Sequence, residues 1–272
     1  FNLWELSCGF MKDFAGLIAV SGAAKNIILM GDQMQLEQPI QGSHPGQSGS
    51  SALEFMLKDH AVIPEDQGVF LERTYRMHPN VCKPLSEVVY EGKLKTDEDN
   101  KNLSVNIDTA KLVIKPNGIL SILVQHEGNT QSSEEEVSVI QMLIKELTTG
   151  TFTNKECETK QLINDDILVV APYNMQVNLL KEKLPDDIKV GTIDKFQGQE
   201  APVVIISMAV SDVEDSSRGM DFVFDINRLN VAVSRAQALA IIVANEGLEQ
   251  CQVSSLGQME KVGFFVKLSM RS

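Results

Sequence analysis

Seven short runs of apolar residues recur along the chain, at residues 27–30, 69–71, 119–124, 167–171, 190–193, 203–208 and 239–243. They are rich in valine, isoleucine and leucine, and their unbroken apolar character suits strands buried on both faces, as in a parallel sheet. Between several of them the pattern changes to a helical period. Ser133 and Glu136 have the spacing of a capping box, and Val137, Ile140, Ile144 and Leu147 follow at helical intervals until Gly150. Asn174 is placed to cap another helix, with Val177, Leu180 and Leu184 on one side and Pro185 as its stop. Leu229, Ala232, Val233 and Ala236 form a further helical stripe, and Phe264, Phe265 and Val266 read as a short terminal strand. Strands alternating with helices predict an α/β fold built on a parallel sheet. Residues 41–51 are polar and rich in Gly and Ser, which predicts a linker, and residues 97–106 and 148–165 predict polar loops.

Composition narrows the class without naming a function. The chain has 272 residues, 43% of them apolar and 22% charged, which supports a sizeable core and excludes a disordered or collagen-like chain. No apolar run approaches the roughly 20 residues that cross a bilayer, so no membrane partner is expected. Glu5, Lys12 and Asp13 interrupt any secretory signal at the start. The cysteines at 8, 82, 157 and 251 are far apart and form no Cys-x-x-Cys site. They read as reduced thiols of an intracellular protein, cytoplasmic or nuclear. The formal net charge of −13 argues against a coat of basic residues for nucleic acid. The acidity is uneven, however, and the segment 68–95 is slightly basic. A local phosphate contact therefore remains open.

Four segments carry groups able to do chemistry. Gly31-Asp32-Gln33-Met34-Gln35-Leu36 follows the first apolar run, at the carboxyl end of a strand where ligands of parallel sheets bind. Gln35 can donate and accept at once, although a plain turn after a strand is the simpler reading of the segment alone. Thr74-Tyr75-Arg76-Met77-His78-Pro79 offers an always-charged guanidinium beside an aromatic ring; a surface salt bridge next to a half-buried tyrosine is the simpler reading. Residues 191–200 place Thr192, Gly198, Gln199 and Glu200 in one short polar loop, with backbone amides near glycine suited to phosphates and Gln199 and Glu200 to sugar hydroxyls. Arg228 and Arg235, seven apart, would project from one side of a helix and suit an anion, or be solvated helix charges.

In order and spacing these four segments resemble the superfamily 1 helicases. The nearest branch holds the nonsense-mediated decay RNA helicase and the helicase–nuclease of Okazaki-fragment processing. Residues 31–36 are similar to helicase motif III, 74–79 to motif IV, 191–200 to motif V and 228–236 to motif VI, and Pro172-Tyr173-Asn174-Met175-Gln176 resembles the family's Pro-Tyr-x-x-Gln segment. The resemblance implies a RecA-like parallel sheet flanked by helices, a P-loop NTPase fold in the form of a second helicase lobe. On that basis residues 1–40 are the tail of the first lobe, 41–51 the linker, 52–245 the second lobe and 246–272 a C-terminal tail. It further implies that Gly31, Asp32 and Gln35 face ATP, with Gln35 sensing the γ-phosphate. Tyr75 would lie against the adenine, Gly198 and Glu200 beside the nucleotide with Glu200 on the ribose, and Arg76 and Arg235 would be arginine fingers. Pro172, Tyr173 and Thr192 would lie near the backbone of single-stranded DNA or RNA.

The family's phosphate cradle, Gly-x-x-x-x-Gly-Lys-[Ser/Thr], has no match here, since the sole Gly-Lys pair is Gly92-Lys93, followed by Leu94. The only Asp-Glu pair, Asp97-Glu98, sits in a polar loop. ATP with magnesium is thus the expected cofactor, with the magnesium ligands in an upstream part of a longer protein and no metal site in this chain. A start at Phe1 rather than methionine fits that view. The expected function is the C-terminal part of an ATP-dependent helicase or translocase, unable to hydrolyse ATP alone and working with a first lobe in the same full-length chain. The alternative is a non-catalytic nucleic-acid- or protein-binding module derived from a helicase lobe. A nuclease reading rests only on Glu158-Thr159-Lys160 and Asp187-Ile188-Lys189.

Overall fold

The apolar runs from residue 119 onward do become strands, and they pair in an order far from their order in the chain. The computed structural model describes residues 28–36, 52–57, 60–107, 114–196, 198–213, 216 and 218–269. The chain divides into two units, Phe1–Leu71 and Glu72–Ser272. In the first, the described residues hold the short helix α1 (Ala52–Leu57). The second contains β1 (Arg73–Thr74), α2 (Pro79–Val89), β2 (Lys95–Thr96), β3 (Ser104–Asn106), β4 (Gly118–Leu123), α3 (Glu134–Leu147), β5 (Thr151–Thr153) and β6 (Thr159–Gln161). There follow β7 (Ile167–Ala171), α4 (Asn174–Lys183), β8 (Lys189–Thr192), β9 (Ala201–Ser207), α5 (Met220–Val223), α6 (Ile226–Val233), β10 (Ala236–Ala244) and α7 (Leu256–Ser269).

The central sheet is five-stranded in the order β4-β10-β9-β7-β8, with every pairing parallel. Register aligns Leu120, Ile241, Ile205, Val169 and Val190 in one row across it. Strand side chains alternate between faces. Val169, Ile205 and Ile241 therefore meet Val137, Ile140, Leu143 and Ile144 of α3 and Val177 and Leu180 of α4 in one buried cluster. Val170, Ile206 and Ile242 face the opposite side, where α2, α6 and α7 contact the sheet. With helices on both faces, no strand needs an alternating polar face, which is why these runs read as continuously apolar. A small antiparallel sheet, β3-β5-β6, and the parallel pair β1-β2 complete the described strands.

Several expectations fail for identifiable reasons. Residues 28–30 carry no strand, and residue 27 lies outside the described residues; Ile28 and Met30 are exposed. The run 69–71 is not a strand either, with Val69 83% and Leu71 82% exposed: an apolar run whose side chains face solvent does not build a buried strand. The predicted loop 148–165 contains the hairpin β5-β6, whose exposed second strand leaves only Phe152 as an apolar signal. The predicted loop 97–106 contains a 3-10 turn at Glu98–Asn102, capped by Asp97, and then β3. The terminal Phe264-Phe265-Val266 belongs to the helix α7, where Val262, Phe265 and Ser269 are buried at helical spacing. Ala236 opens β10 rather than closing the helical stripe, and the residue capping α4 is Tyr173, with Asn174 already helical. The linker predicted at 41–51 lies outside the described residues.

The capping box at α3 is half right. Ser133 Oγ accepts the Glu136 N–H at 3.1 Å, but the Ser133 N–H goes instead to Gln176 Oε1 at 2.8 Å. Glu136 turns inward. Its fully buried carboxylate accepts from Ser207 Oγ at 2.5 Å and from the Ala209 N–H at 3.0 Å, and lies 3.2 Å from His126 Nε2. His126 Nδ1 meets Ser211 Oγ at 2.7 Å, and Gln176 Nε2 donates to Ser207 Oγ at 2.9 Å. Ala209 has φ +65°, a left-handed conformation unfavourable for a residue with a Cβ, and the carboxylate receives the N–H that this conformation turns towards it. The network pins the chain leaving β4, the start of α3, the first turn of α4 and the exit of β9 to one another.

Removing the Glu136 carboxylate would leave several buried donors without a partner. Glu136→Ala is expected to destabilise the chain by at least about 3 kcal/mol in chemical denaturation, while Glu134→Ala, exposed on the same turn, should stay within about 0.5 kcal/mol. Equal effects would show that the network contributes nothing particular. Burial also pushes the Cys82 thiol up to about 11, whereas Cys157 is exposed. Since the thiolate is the reactive species, an alkylating reagent at pH 8 should label Cys157 in the native chain and Cys82 only on unfolding, as read by peptide mass mapping.

Candidate functional site

At the amino-terminal end of the sheet, three connections converge. Arg76 lies between β1 and α2, Glu200 just before β9, and Arg235 just before β10. The first connection is held at several points. The Arg76 N–H donates to Thr74 Oγ1 at 3.3 Å, Asn100 Nδ2 to the Met77 carbonyl at 3.1 Å, and the His78 N–H to the Gln237 carbonyl at 2.7 Å. His78 then caps α2, its Nδ1 accepting the Asn80 N–H at 3.0 Å with Pro79 as first helical residue. Burial holds the His78 pKa below its ordinary value, which favours the neutral ring this bond requires.

Within that frame Arg76 donates from Nε to Glu200 Oε2 at 2.5 Å and from Nη1 to the Ser234 carbonyl at 3.3 Å. Gln237 Nε2 donates to the other Glu200 oxygen at 2.8 Å. Burial alone would raise the Glu200 carboxyl, but the bonds from Arg76 and Gln237 outweigh it and hold the pKa below the usual carboxylate value. Arg235 is only 4% exposed; it donates from Nη1 to the Gln199 carbonyl at 3.4 Å, and its buried Nε has no hydrogen-bond partner. Burial and the neighbouring Arg76 charge lower its pKa, and Glu200 works against both. It stays charged at neutral pH, as arginine does. The cluster thus holds two guanidiniums against one carboxylate. Gly198 makes its turn at φ +86°, and Tyr75, beside Arg76, is 65% exposed.

A second group lies at the opposite end. Thr192 pairs in register with Ala171, so Thr192 and Pro172 stand side by side at the carboxyl ends of β8 and β7. Tyr173 follows but turns its ring inward, with its hydroxyl 2.8 Å from Ser216 Oγ and its ring centroid 5.2 Å from that of Phe222. Burial raises its phenol pKa, and the Ser216 bond and the charges of Arg218 and Arg228 oppose that. The segment 191–200 is therefore not one loop packed with reactive groups. It runs back beside the sheet, and Thr192 and Glu200 end on the order of 20 Å apart along the strands at about 3.3 Å per residue.

Arg228 and Arg235 do not share a helix side. α6 ends at Val233, Ser234 caps it, and Arg235 lies in the link to β10. Arg228, in the first turn, sits 4.4 Å over the Phe222 ring, with the Asp194 carboxylate 3.9 Å away. In the other unit, Gln35 Nε2 donates to Asp32 Oδ2 at 2.9 Å and the Met34 N–H to Asp32 Oδ1 at 3.0 Å, so Asp32 organises the turn that begins at Gly31. Gly92 makes a turn at φ +74° with Lys93 paired to Glu91, and Asp97 pairs with Arg73. Glu158 and Lys160 serve the β5-β6 region, bonded to Asn154 and Asp166, and Lys189 pairs with Asp165.

Sequence reasoning missed Gln237, the Ser234 carbonyl, Phe222 and Arg218. Gln237 follows Arg235 by two residues, a spacing that on the strand β10 places both near the sheet end, but nothing local marks it as a partner of Glu200. Phe222 and Arg228 are six apart, outside any helical pairing rule.

The profile of the AAA domain family matches residues 49–247. The chain is 27% identical over 259 residues to the 3'-5' exoribonuclease HELZ2 of Mus musculus, covering 86% of this chain and 8% of that protein. It is 26% identical to the DNA polymerase alpha-associated DNA helicase A of Schizosaccharomyces pombe, over 80% of this chain and 33% of the relative. It is 29% identical to the ATP-dependent helicase MJ0104 of Methanocaldococcus jannaschii, over 82% and 33%. The chain thus spans a third or less of these three relatives. Among the described residues no helix is long and apolar enough to cross a membrane. With the parallel α/β sheet in place and a family profile matching well over half its length, the chain belongs to the AAA domain family of superfamily 1 helicases.

Proposed function

We propose that this chain supplies the second lobe of an ATP-dependent nucleic-acid helicase or translocase, working with a first lobe that carries the phosphate cradle in the same full-length chain. The observation that supports it most is Arg235, a buried guanidinium with an unpartnered Nε beside a second guanidinium. A buried charged donor left open is costly unless an anion meets it. Phosphoryl transfer spreads negative charge over the oxygens of the moving group, and fixed cations stabilise that charge most in the transition state. Arg235 and Arg76 are the groups for that task. Glu200 and the Ser234 carbonyl orient Arg76 meanwhile.

The residues present fit the anionic part of ATP, which when bound supplies the phosphoryl group that water takes. On this reading Tyr75 lies against the base, and Glu200 and Gly198 border the sugar. Among the described residues no group of three or more His, Cys, Asp or Glu side chains could hold a metal ion. Thr192, Pro172 and the backbone at Tyr173 face a single strand of DNA or RNA. α6 carries Arg228 in its first turn and ends just before Arg235, so one short helix stands between the two groups.

In the protein that carries this chain, Arg235→Ala is expected to lower kcat for strand-stimulated ATP hydrolysis by about 10³–10⁵-fold, with KM changing far less. Arg235→Lys should not restore it, because an ammonium lacks the planar fork. An unchanged kcat would remove the motor reading and leave a strand- or protein-binding module. The 272-residue chain alone is expected to show no turnover; turnover abolished by Arg235→Ala would show instead that it holds a complete site.

A further inference from the structure

Arg228 has a partner that no sequence spacing suggested. The Arg218 guanidinium carbon lies 4.5 Å from the Phe222 centroid, and that of Arg228 4.4 Å from the same centroid. Both cations lie against the π-electrons of one ring, which braces two long side chains that would otherwise move freely. Phe222 in turn packs on Tyr173, which follows Pro172 at the end of β7, and Asp194 follows Thr192 by two residues. The pair therefore stands next to Pro172 and Thr192, at the carboxyl end of the sheet.

The formal net charge is −13, and several other lysines and arginines here have a carboxylate close by, as Lys261 has Asp221 at 2.6 Å and Lys160 has Asp166 at 2.6 Å. Arg228 has only Asp194, at 3.9 Å. Among the described residues no carboxylate lies within ion-pair distance of Arg218, whose side chain is exposed. Two like charges within a few ångströms of one ring repel each other, and an anion between or above them relieves that repulsion. The ring prevents either guanidinium from folding away.

We infer that Arg218 and Arg228, braced on Phe222, form a clasp for one backbone phosphate of a single nucleic-acid strand lying across Pro172 and Thr192. This rests on the strand-binding reading above and adds to it Arg218, which lies outside the helicase-like segments matched in the sequence, acting with Arg228, the first residue of the motif VI-like segment. A guanidinium is the group suited to two-point phosphate recognition, and the contact is blind to base identity. The clasp is separate from the nucleotide cluster, which sits at the other end of the sheet with Glu200 and Arg235.

The test is the salt dependence of binding by the full chain to a fluorescent single-stranded oligonucleotide of mixed sequence, as RNA and as DNA. A lost phosphate contact on a single strand lowers the log–log salt slope by about 0.7. Arg218→Ala is expected to produce that drop with weaker binding to every sequence alike, and Arg218→Lys to keep most of the slope. Affinity for a fluorescent ATP analogue should not change. Because Arg218 is exposed, its replacement should leave the thermal unfolding midpoint in place. If the strand binds and Arg218→Ala leaves slope and affinity untouched, the clasp is wrong while the strand-binding reading stands. If the ATP analogue weakens instead, the phosphate belongs to the nucleotide and the clasp is again wrong. If the chain binds no strand at all, both fall together.

Discussion

A carboxylate without water must find its hydrogen bonds inside the protein, and at Glu136 that requirement organises the carboxyl-terminal end of the sheet. Its oxygens take the Ser207 hydroxyl and the Ala209 N–H and lie beside His126. Ser207 and Ala209 lie at the exit of β9 and His126 just after β4, so satisfying one buried carboxyl fixes two distant connections to the start of α3. Gln176 extends the network to the first turn of α4, which is the turn that follows Pro172 and Tyr173. The glutamine of the Pro-Tyr-x-x-Gln segment thus acts as an anchor. It touches no exposed surface, and it positions the two residues before it.

The two ends of the sheet have opposite electrostatic designs. At the carboxyl end the buried network is closed, every member supporting another, while the arginines above it face outward. At the amino end the arrangement stays open. Arg76 and Arg235 share one carboxylate and two backbone carbonyls, and a buried nitrogen of Arg235 is left over. A closed network gives rigidity, and the open one is where the proposed phosphate would find its donors. α6 lies between the two, with Arg228 near its start and Arg235 just past its end.

Much of this was legible from local pattern. The strands β7, β9 and β10 follow from runs long enough to be buried on both faces, and α3 follows from its cap and period. The short edge elements were not legible. The hairpin β5-β6 faces solvent and carries almost no apolar period, and the run at 69–71 is as apolar as a strand yet leaves Val69 and Leu71 exposed. The C-terminal phenylalanines show the same limit from the other side. Three apolar residues fit a strand as well as a helix, and only packing of the whole of α7, with Phe265 against Phe224, decides between them.

By itself the sequence determined which side chains are available and in what order the helicase-like segments come, because residue types and short spacings are local properties. It also determined that a parallel α/β sheet would form, since continuous apolar strands between amphipathic helices have few other ways to bury themselves. Only the tertiary structure decided which of those side chains meet. Arg76 finds Glu200 across 124 positions of chain and Ser234 across 158. Thr192 and Glu200, eight residues apart, are carried to opposite ends of the sheet. Strand order sets these distances, and strand order comes from how whole elements pack, which no local period encodes.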